Sequence, residues 1–462
     1  MAKDLKEKFC SFSPTDYRYS VEDLKSYLTE EAFIKYKTKV EAALVKVLAK
    51  QGFISWEVAE EIIQAAERIT AEEVYEEERR VRHDIRALVN CIRNKVSERA
   101  KPYVHLFATS CDIVDTANCL RYKDAIHNVI LPDMIELEKT WMELALRHKD
   151  TLQIGRTHGQ HAEPITFGFA IVLYVDRWGN RILRLKEVTH NLVGKFSGAV
   201  GAYNASSLGF FADPEEFERE VLSELGLEPA NISTQILPPE PMVDFFHTII
   251  SSFGVLANFA DDMRHLQRSE IAEIGEEFKD EQVGSSTMPH KRNPINFENI
   301  KSMWKTFMPK MVTIYMDQIS EHQRDLTNSC SQRYLPELLV AFTSSMRRMI
   351  KVSKRIKVEE SNMQRNFKMS KDKIAAEPLY ILLASLGYPN AHEYVRRLVF
   401  ESFKKRKPLS EIVMEEEALK PYLEKFTDLQ KGIILDPSRY IGIAPKKVKK
   451  IIDLWEERLK DT

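Results

Sequence analysis

The chain has 462 residues, 44% of them hydrophobic and 29% charged. That balance excludes a disordered chain, and the length calls for more than one small core. With 67 Lys and Arg against 69 Asp and Glu, the formal net charge is -2, which removes bulk charge as a reason to bind nucleic acid or an anionic membrane.

Residues 1–10 contain no apolar signal-peptide core. The longest nearly unbroken apolar run, Phe167 to Val175, is too short to span a bilayer. Cys10, Cys91, Cys111, Cys119 and Cys330 form no CxxC pair. The expectation is a cytoplasmic chain with reduced thiols, no disulfide framework and no zinc site.

Glycine placement predicts long helices. Gly52 is the only glycine before Gly155, and none lies between Gly284 and Gly387. Helices are expected over 113–149 and 169–193, then from Pro241 onward. There Met242, Phe246, Ile249, Phe253, Leu256, Ala260 and Met263 recur at three- and four-residue steps, the stripe of a packed bundle helix. Further helices are expected over 295–328 and 337–365. Few segments alternate as strands do. The charge runs at 76–80 and 404–407 read as solvated surface.

Chemistry concentrates where the helical pattern fails. The run Gly284-Ser285-Ser286-Thr287-Met288-Pro289-His290-Lys291-Arg292-Asn293-Pro294 must be a loop. Its small residues leave N–H groups for an anion, although a solvated connector has the same composition. In 155–164, His158 and His161 sit among glycines and suit either a metal or proton transfer. Thr109 and Ser110 precede a long helix, where hydroxyls cap N–H groups and N–H groups bind carboxylate or phosphate. Arg324, Ser329 and Arg333 suit phosphate; pairing of the arginines with Glu321 or Glu337 is the plainer alternative.

Together these segments resemble the active-site regions of the fumarase/aspartase superfamily, in order and over nearly the whole chain. Within it, Arg18-Tyr19, Arg82-His83-Asp84, Ser233-Thr234-Gln235, the spacing of Arg324, Ser329 and Arg333, and the tail 435–445 resemble the adenylosuccinate lyase family. Two positions depart from relatives: 237–241 reads Leu-Pro-Pro-Glu-Pro where a basic stretch is common, and Asn299 stands where some carry Arg.

The resemblance implies a mainly α fold of three domains: an N-terminal helical domain at 1–108, a central long-helix bundle at 109–363 carrying the signature loop 280–294, and a C-terminal helical domain at 364–462. It implies β-elimination of fumarate from adenylosuccinate to give AMP, and from the succinylaminoimidazole carboxamide ribonucleotide (SAICAR) to give AICAR, in purine nucleotide biosynthesis. Ser285 would be the base and His158 the proton donor to the leaving nitrogen, with Lys291 and His83 completing the catalytic set. Arg18, Tyr19, Arg82, Asp84, His105, Thr109, Ser110, Gln235, Met288, Asn293, Arg324, Ser329 and Arg333 would bind substrate. No metal or cofactor is implied. The partners implied are a small-molecule nucleotide and three more copies of the chain, in a homotetramer with shared sites, and neither nucleic acid nor membrane.

The residue chemistry agrees. Removing a carbon-bound proton beside a carboxylate makes a dianion that needs positive charge and directed donors, and a serine serves as base only if nearby donors hold it near-ionised. The alternatives are carboxymuconate cycloisomerase, argininosuccinate lyase or a catalytically silent structural homologue. An RNA-binding scaffold is disfavoured by the balanced charge and the lack of an aromatic-basic module.

Overall fold

The computed structural model describes residues 11–278, 281 and 284–460. Cys10 and residues 280, 282 and 283 of the expected signature loop lie outside the described residues. The chain is mainly helical, and Cys91, Cys111, Cys119 and Cys330 are free thiols.

Helix α1, Glu30–Lys50, begins where Thr29 Oγ1 accepts the Ala32 N–H at 3.2 Å, with Glu30 and Glu31 at its positive end. Gly52, at φ 72°, turns the chain away. Helix α2, Asp84–Arg93, is capped by His83. Helix α3, Ser110–Ala125, passes through a π turn at Ile126–Ile130 into α4, Leu131–Arg147. The helix expected over 113–149 is thus present but widened at one turn. Leu131 donates to the Ile126 carbonyl, and Pro132 has no N–H to close a normal turn.

Strands β1, Leu152–Thr157, and β2, Gln160–Thr166, form an antiparallel hairpin and lead into α5, Phe167–His190. The apolar stripe lies on α6, Glu240–Leu266, where Phe246, Ile249, Phe253, Leu256, Ala260 and Met263 are buried. By length and hydropathy α6 would pass as a membrane span, yet 67% of its apolar window is buried within the protein, as in a core helix.

Two expected helices prove too long. The 295–328 segment forms α7, Ile295–Phe307, and α8, Lys310–Met316, with Pro309 between them. Beyond Met316 the Asp325 carboxylate accepts the Glu321 N–H at 2.8 Å and the Thr327 N–H at 2.9 Å, which satisfies these N–H groups outside a helix. The 337–365 segment is divided between α9, Ser331–Ser353, and α10, Glu360–Ile374. Strand β4, Lys357–Val358, lies between them and pairs with β3, Ile274–Gly275.

Contacts divide the chain into two compact units. Unit 1 comprises Met1–Ile135, Asn180–Gly254 and Ser302–Arg347; unit 2 comprises Glu136–Gly179, Val255–Lys301 and Arg348–Thr462. In unit 1, α1 packs on Trp56–Glu67 and on α3, with Val40, Leu44, Val47 and Leu48 buried. In unit 2, Trp141 stacks on Phe259 with ring centroids 4.5 Å apart. Trp455, on the helix Ala444–Arg458, donates to Asp176 at 3.1 Å and lies over Gly179, where a Cβ would come within 2.5 Å of the indole. The segment from Ala375 to Ile434 carries its own apolar cluster.

One core residue of unit 2 sets a pH dependence. Glu138 is fully buried, neither carboxylate oxygen has a partner among the described residues, and burial, reinforced by the Asp176 charge, pushes its carboxyl up to about 9. Between the ordinary carboxyl range and that value the folded chain holds a proton that the unfolded chain has released. Stability therefore falls as pH rises, by up to about 1.4 kcal/mol per unit. Glu138→Gln removes this term. Urea unfolding at pH 6 and pH 8 is expected to show the variant gaining on the wild type at the higher pH; parallel curves would refute it.

Candidate active site

Unit 1 holds an open cavity of about 1100 Å³. Its walls come from residues 11–37, Val74, Tyr75 and Glu78, His83–Asp84, one face of α3, Gln235 and the 324–340 stretch. The N-terminal segment is tied down at both ends: Ser13 Oγ donates to Glu337 at 2.8 Å, and Arg347 bridges Asp23 and Asp133 at 2.7 and 2.6 Å.

Seven of the expected residues line this cavity: His83, Asp84, Ser110, Gln235, Arg324, Ser329 and Arg333. Arg324 donates to Cys111 Sγ at 2.8 Å and Arg333 to the Ser329 carbonyl at 3.1 Å. Glu337 instead takes Ser13 and Lys310, so the plainer pairing of Arg333 with Glu337 is not made. Both arginines keep N–H donors for an anion. His83 Nδ1 accepts the Arg86 N–H at 3.3 Å, which leaves the ring proton on Nε2.

The N-terminus of α3 rests on a buried ion pair. Asp112 Oδ2 accepts the Thr109 N–H at 2.8 Å, while Oδ1 pairs with Lys195. Both charged side chains are wholly buried. Burial pushes the Asp112 carboxyl up against the opposing pull of Lys195 and of the Thr109 and Gly198 N–H groups. Thr116 Oγ1 donates to the Lys195 carbonyl at 3.0 Å and accepts its N–H at 3.1 Å. Asp115 accepts the Leu237 N–H at 3.0 Å, and burial raises its carboxyl to about 6. This bond fixes the 237–241 stretch and, through the Thr234–Ile236 turn, the neighbouring Gln235.

Other expected residues stand apart from the lining. Arg18 is exposed after the short helix Pro14–Tyr17, and Tyr19 beside it is half-buried. Arg82 is exposed at φ 56° and ends the helix Ala71–Val81. Thr109 caps α3. His105, at φ 63°, binds the buried Glu41 at 2.6 Å. Burial opposes its charge, but Glu41 overrides burial and raises its pKa.

Unit 2 holds the remaining set. His158 and Gly159 form the tip of the β1–β2 hairpin at φ 54° and 74°, the two-residue turn that suits strand twist. The imidazole of His158 is thus exposed at the tip of the hairpin. The base is braced by buried Glu273, which accepts from Arg156 at 2.6 and 3.1 Å, Gln153 at 2.8 Å and Asn366 at 2.8 Å. His161 Nδ1 is bonded to Ser370 Oγ at 2.9 Å, whereas the imidazole of His158 stays exposed.

The signature loop folds on itself. Asn293 Nδ2 donates to the Gly284 carbonyl at 2.9 Å, and a Cβ at Gly284 would lie 2.1 Å from the Lys291 carbonyl oxygen; only glycine fits. Ser285 Oγ accepts the Met288 N–H at 3.0 Å and the Thr287 N–H at 3.3 Å. The N–H groups expected to be free for an anion therefore point at the serine oxygen. Lys291 and Met288 are exposed, and Asn293 is half-buried. Sequence reasoning missed the buried charges Lys195, Glu41 and Glu273, because their ionic partners Asp112, His105 and Arg156 stand far away in the chain.

Comparison with known proteins gives a consistent result. Residues 6–308 match the family described as Lyase, and residues 320–433 match Adenylosuccinate lyase C-terminal. The chain is 39% identical over 452 residues to the adenylosuccinate lyase of Pyrococcus abyssi, covering 96% of this chain and 98% of that one. It is 35% identical over 451 residues to that of Archaeoglobus fulgidus, covering 97% and 99%. The 3-carboxy-cis,cis-muconate lactonizing enzyme of Pseudomonas putida shares the fold, with a TM-score of 0.83 at 24% identity over 96% of this chain and 99% of that one. The chain belongs to the adenylosuccinate lyase family of the fumarase/aspartase superfamily and is a carbon–nitrogen lyase.

Proposed function

We propose that the protein eliminates fumarate from adenylosuccinate to give AMP, and from SAICAR to give AICAR, in purine nucleotide synthesis in the cytoplasm. The observation that carries the reading is the unit 1 cavity, which gathers Arg324, Ser329, Arg333, His83, Ser110 and Gln235 from separate stretches of the chain. Arg324, Ser329 and Arg333 hold the phosphate, with Arg18 and Tyr19 closing on it. Thr109 and Ser110 hold a succinyl carboxylate, and His83, Arg82, Asp84 and His105 orient the anionic groups. Gln235, Met288 and Asn293 contact the remainder of the substrate.

Ser285 takes the proton from the carbon beside the carboxylate, the carbon–nitrogen bond breaks, and His158 protonates the departing nitrogen. Two N–H donors on Ser285 Oγ and the Lys291 charge favour the ionised oxygen that this role requires. No metal or organic cofactor is needed for this step. Incubation with adenylosuccinate is expected to release AMP and fumarate, read by absorbance. A chain that leaves adenylosuccinate intact but isomerises a carboxymuconate would overturn the reading.

The domain boundaries near 108 and 363 and a homotetramer with shared sites belong to the same proposal. The separate apolar cluster from Ala375 to Ile434 supports the C-terminal domain. If Ser285 and His158 reach one site from different copies, mixing inactive Ser285→Ala and His158→Ala chains restores activity at roughly a quarter of sites. Randomly mixed tetramers with no recovered activity would place both residues on one chain.

A further inference from the structure

We infer that the part of the unit 1 cavity at the Arg121 end of α3 is a second anion-binding subsite, formed by Lys37 and Arg121 around Phe33, and that it takes a phosphate group. Helix α3 turns Ser110, Val114, Asn118 and Arg121 toward the cavity, at steps that keep one face of a helix. At about 1.5 Å rise per residue, Arg121 lies about 16 Å along the axis from Ser110. Arg324 is bonded to Cys111, at the Ser110 end. Lys37 and Arg121 therefore lie at the opposite end of α3 from that contact.

Both cations are buried, at 4% and 3% exposure, and both line the cavity. They share one aromatic ring, with Lys37 Nζ 4.1 Å and Arg121 Cζ 3.9 Å from the Phe33 centroid. The ring offsets part of the cost of burying them. Their hydrogen-bonding partners do not supply the rest. Arg121 donates to Asn118 Oδ1 at 2.9 Å and to the Tyr122 hydroxyl at 3.3 Å, both neutral. Lys37 has the Asp84 carboxylate at 3.9 Å, beyond a good hydrogen bond. Glu30 and Glu78 also line the cavity.

Burial pulls the Lys37 amine down, Asp84 and Glu30 raise it, and Arg121 lowers it again. Asp84, Glu30 and Glu78 act on Lys37 from beyond hydrogen-bond distance and the hydrogen-bond partners of Arg121 are neutral, so an anion entering from the cavity is the first close counterion of the pair. A phosphate suits them, since the guanidinium offers forked donors and the ammonium a point charge. The inference goes beyond the lyase reading and its test needs no turnover.

The test is equilibrium dialysis of the full chain against labelled inorganic phosphate. Two phosphates are expected per wild-type chain. Arg333→Ala is expected to keep one, and Lys37→Met in that background to weaken it at least tenfold. AMP added to the Arg333→Ala chain separates the sources: displacement of the remaining phosphate identifies a nucleotide phosphate as the occupant, and no displacement identifies free phosphate. One phosphate per wild-type chain, lost with Arg333→Ala, or a second phosphate indifferent to Lys37→Met, would overturn the subsite. Should Lys37→Met not fold, acetylation of Lys37 in the Arg333→Ala chain, read by mass spectrometry, decides. Phosphate is expected to slow it several-fold, and equal rates with and without phosphate would reject the proposal.

Discussion

Ser285→Ala is expected to lower kcat by about 10²–10⁴-fold, the typical loss for a proton-transfer group, with substrate binding largely retained. The oxygen removed is the acceptor of the Thr287 and Met288 N–H groups. The variant would therefore lose the proposed base and leave two donors without their acceptor. The loop should still close, because the Asn293 bond to the Gly284 carbonyl does not involve the serine side chain. Steady-state kinetics with adenylosuccinate, alongside calorimetric binding to the inactive variant, separates the two effects. A near-normal kcat would take Ser285 out of the base role. A lost affinity at normal kcat would make it a binding residue.

Lys195→Met is expected to destabilise the protein by about 3–5 kcal/mol, the cost of leaving one member of a buried ion pair alone. Asp112 and Lys195 are both wholly buried, and the Asp112 carboxylate also holds the Thr109 N–H. The lesion should therefore reach the N-terminus of α3, where Ser110 lines the cavity, and affect activity as well as the urea midpoint. Adding Asp112→Asn removes the stranded charge, and the double variant is expected to recover a substantial part of the loss. A single variant as stable as the wild type would show that the pair contributes nothing net. A double variant worse than the single would show that Asp112 acts through shape and hydrogen bonding rather than charge.

The candidate site was legible in unequal parts. Gly284, Ser285 and Asn293 announce a loop because small residues between helical runs have no other use, and the fold of that loop follows from the Gly284 contact with the Lys291 carbonyl. Arg324, Ser329 and Arg333 read as candidates for holding a phosphate, and all three line one cavity. The hairpin that carries His158 was read only as a glycine-bounded turn. Its strands are short, and Gln153 and Arg156 turn polar side chains to the buried Glu273, which hides the alternation. The helices expected over 295–328 and 337–365 overran because absent glycine says nothing about Pro309 or about the Asp325 carboxylate drawing N–H groups from its neighbours.

By itself the amino-acid sequence determined the helical class, the long core helix from Pro241 onward, the position of the Gly284–Pro294 loop and the family, because period, turn chemistry and motif spacing are local properties of the chain. Tertiary structure alone decided which charges are buried and what answers them. Glu41 meets His105 and Lys195 meets Asp112, while Glu138 meets no hydrogen-bond partner among the described residues. It also decided that Lys37 and Arg121 share the ring of Phe33. The cost of a buried charge depends on the few ångströms around it, and those neighbours come from distant parts of the chain that only the packed fold brings together.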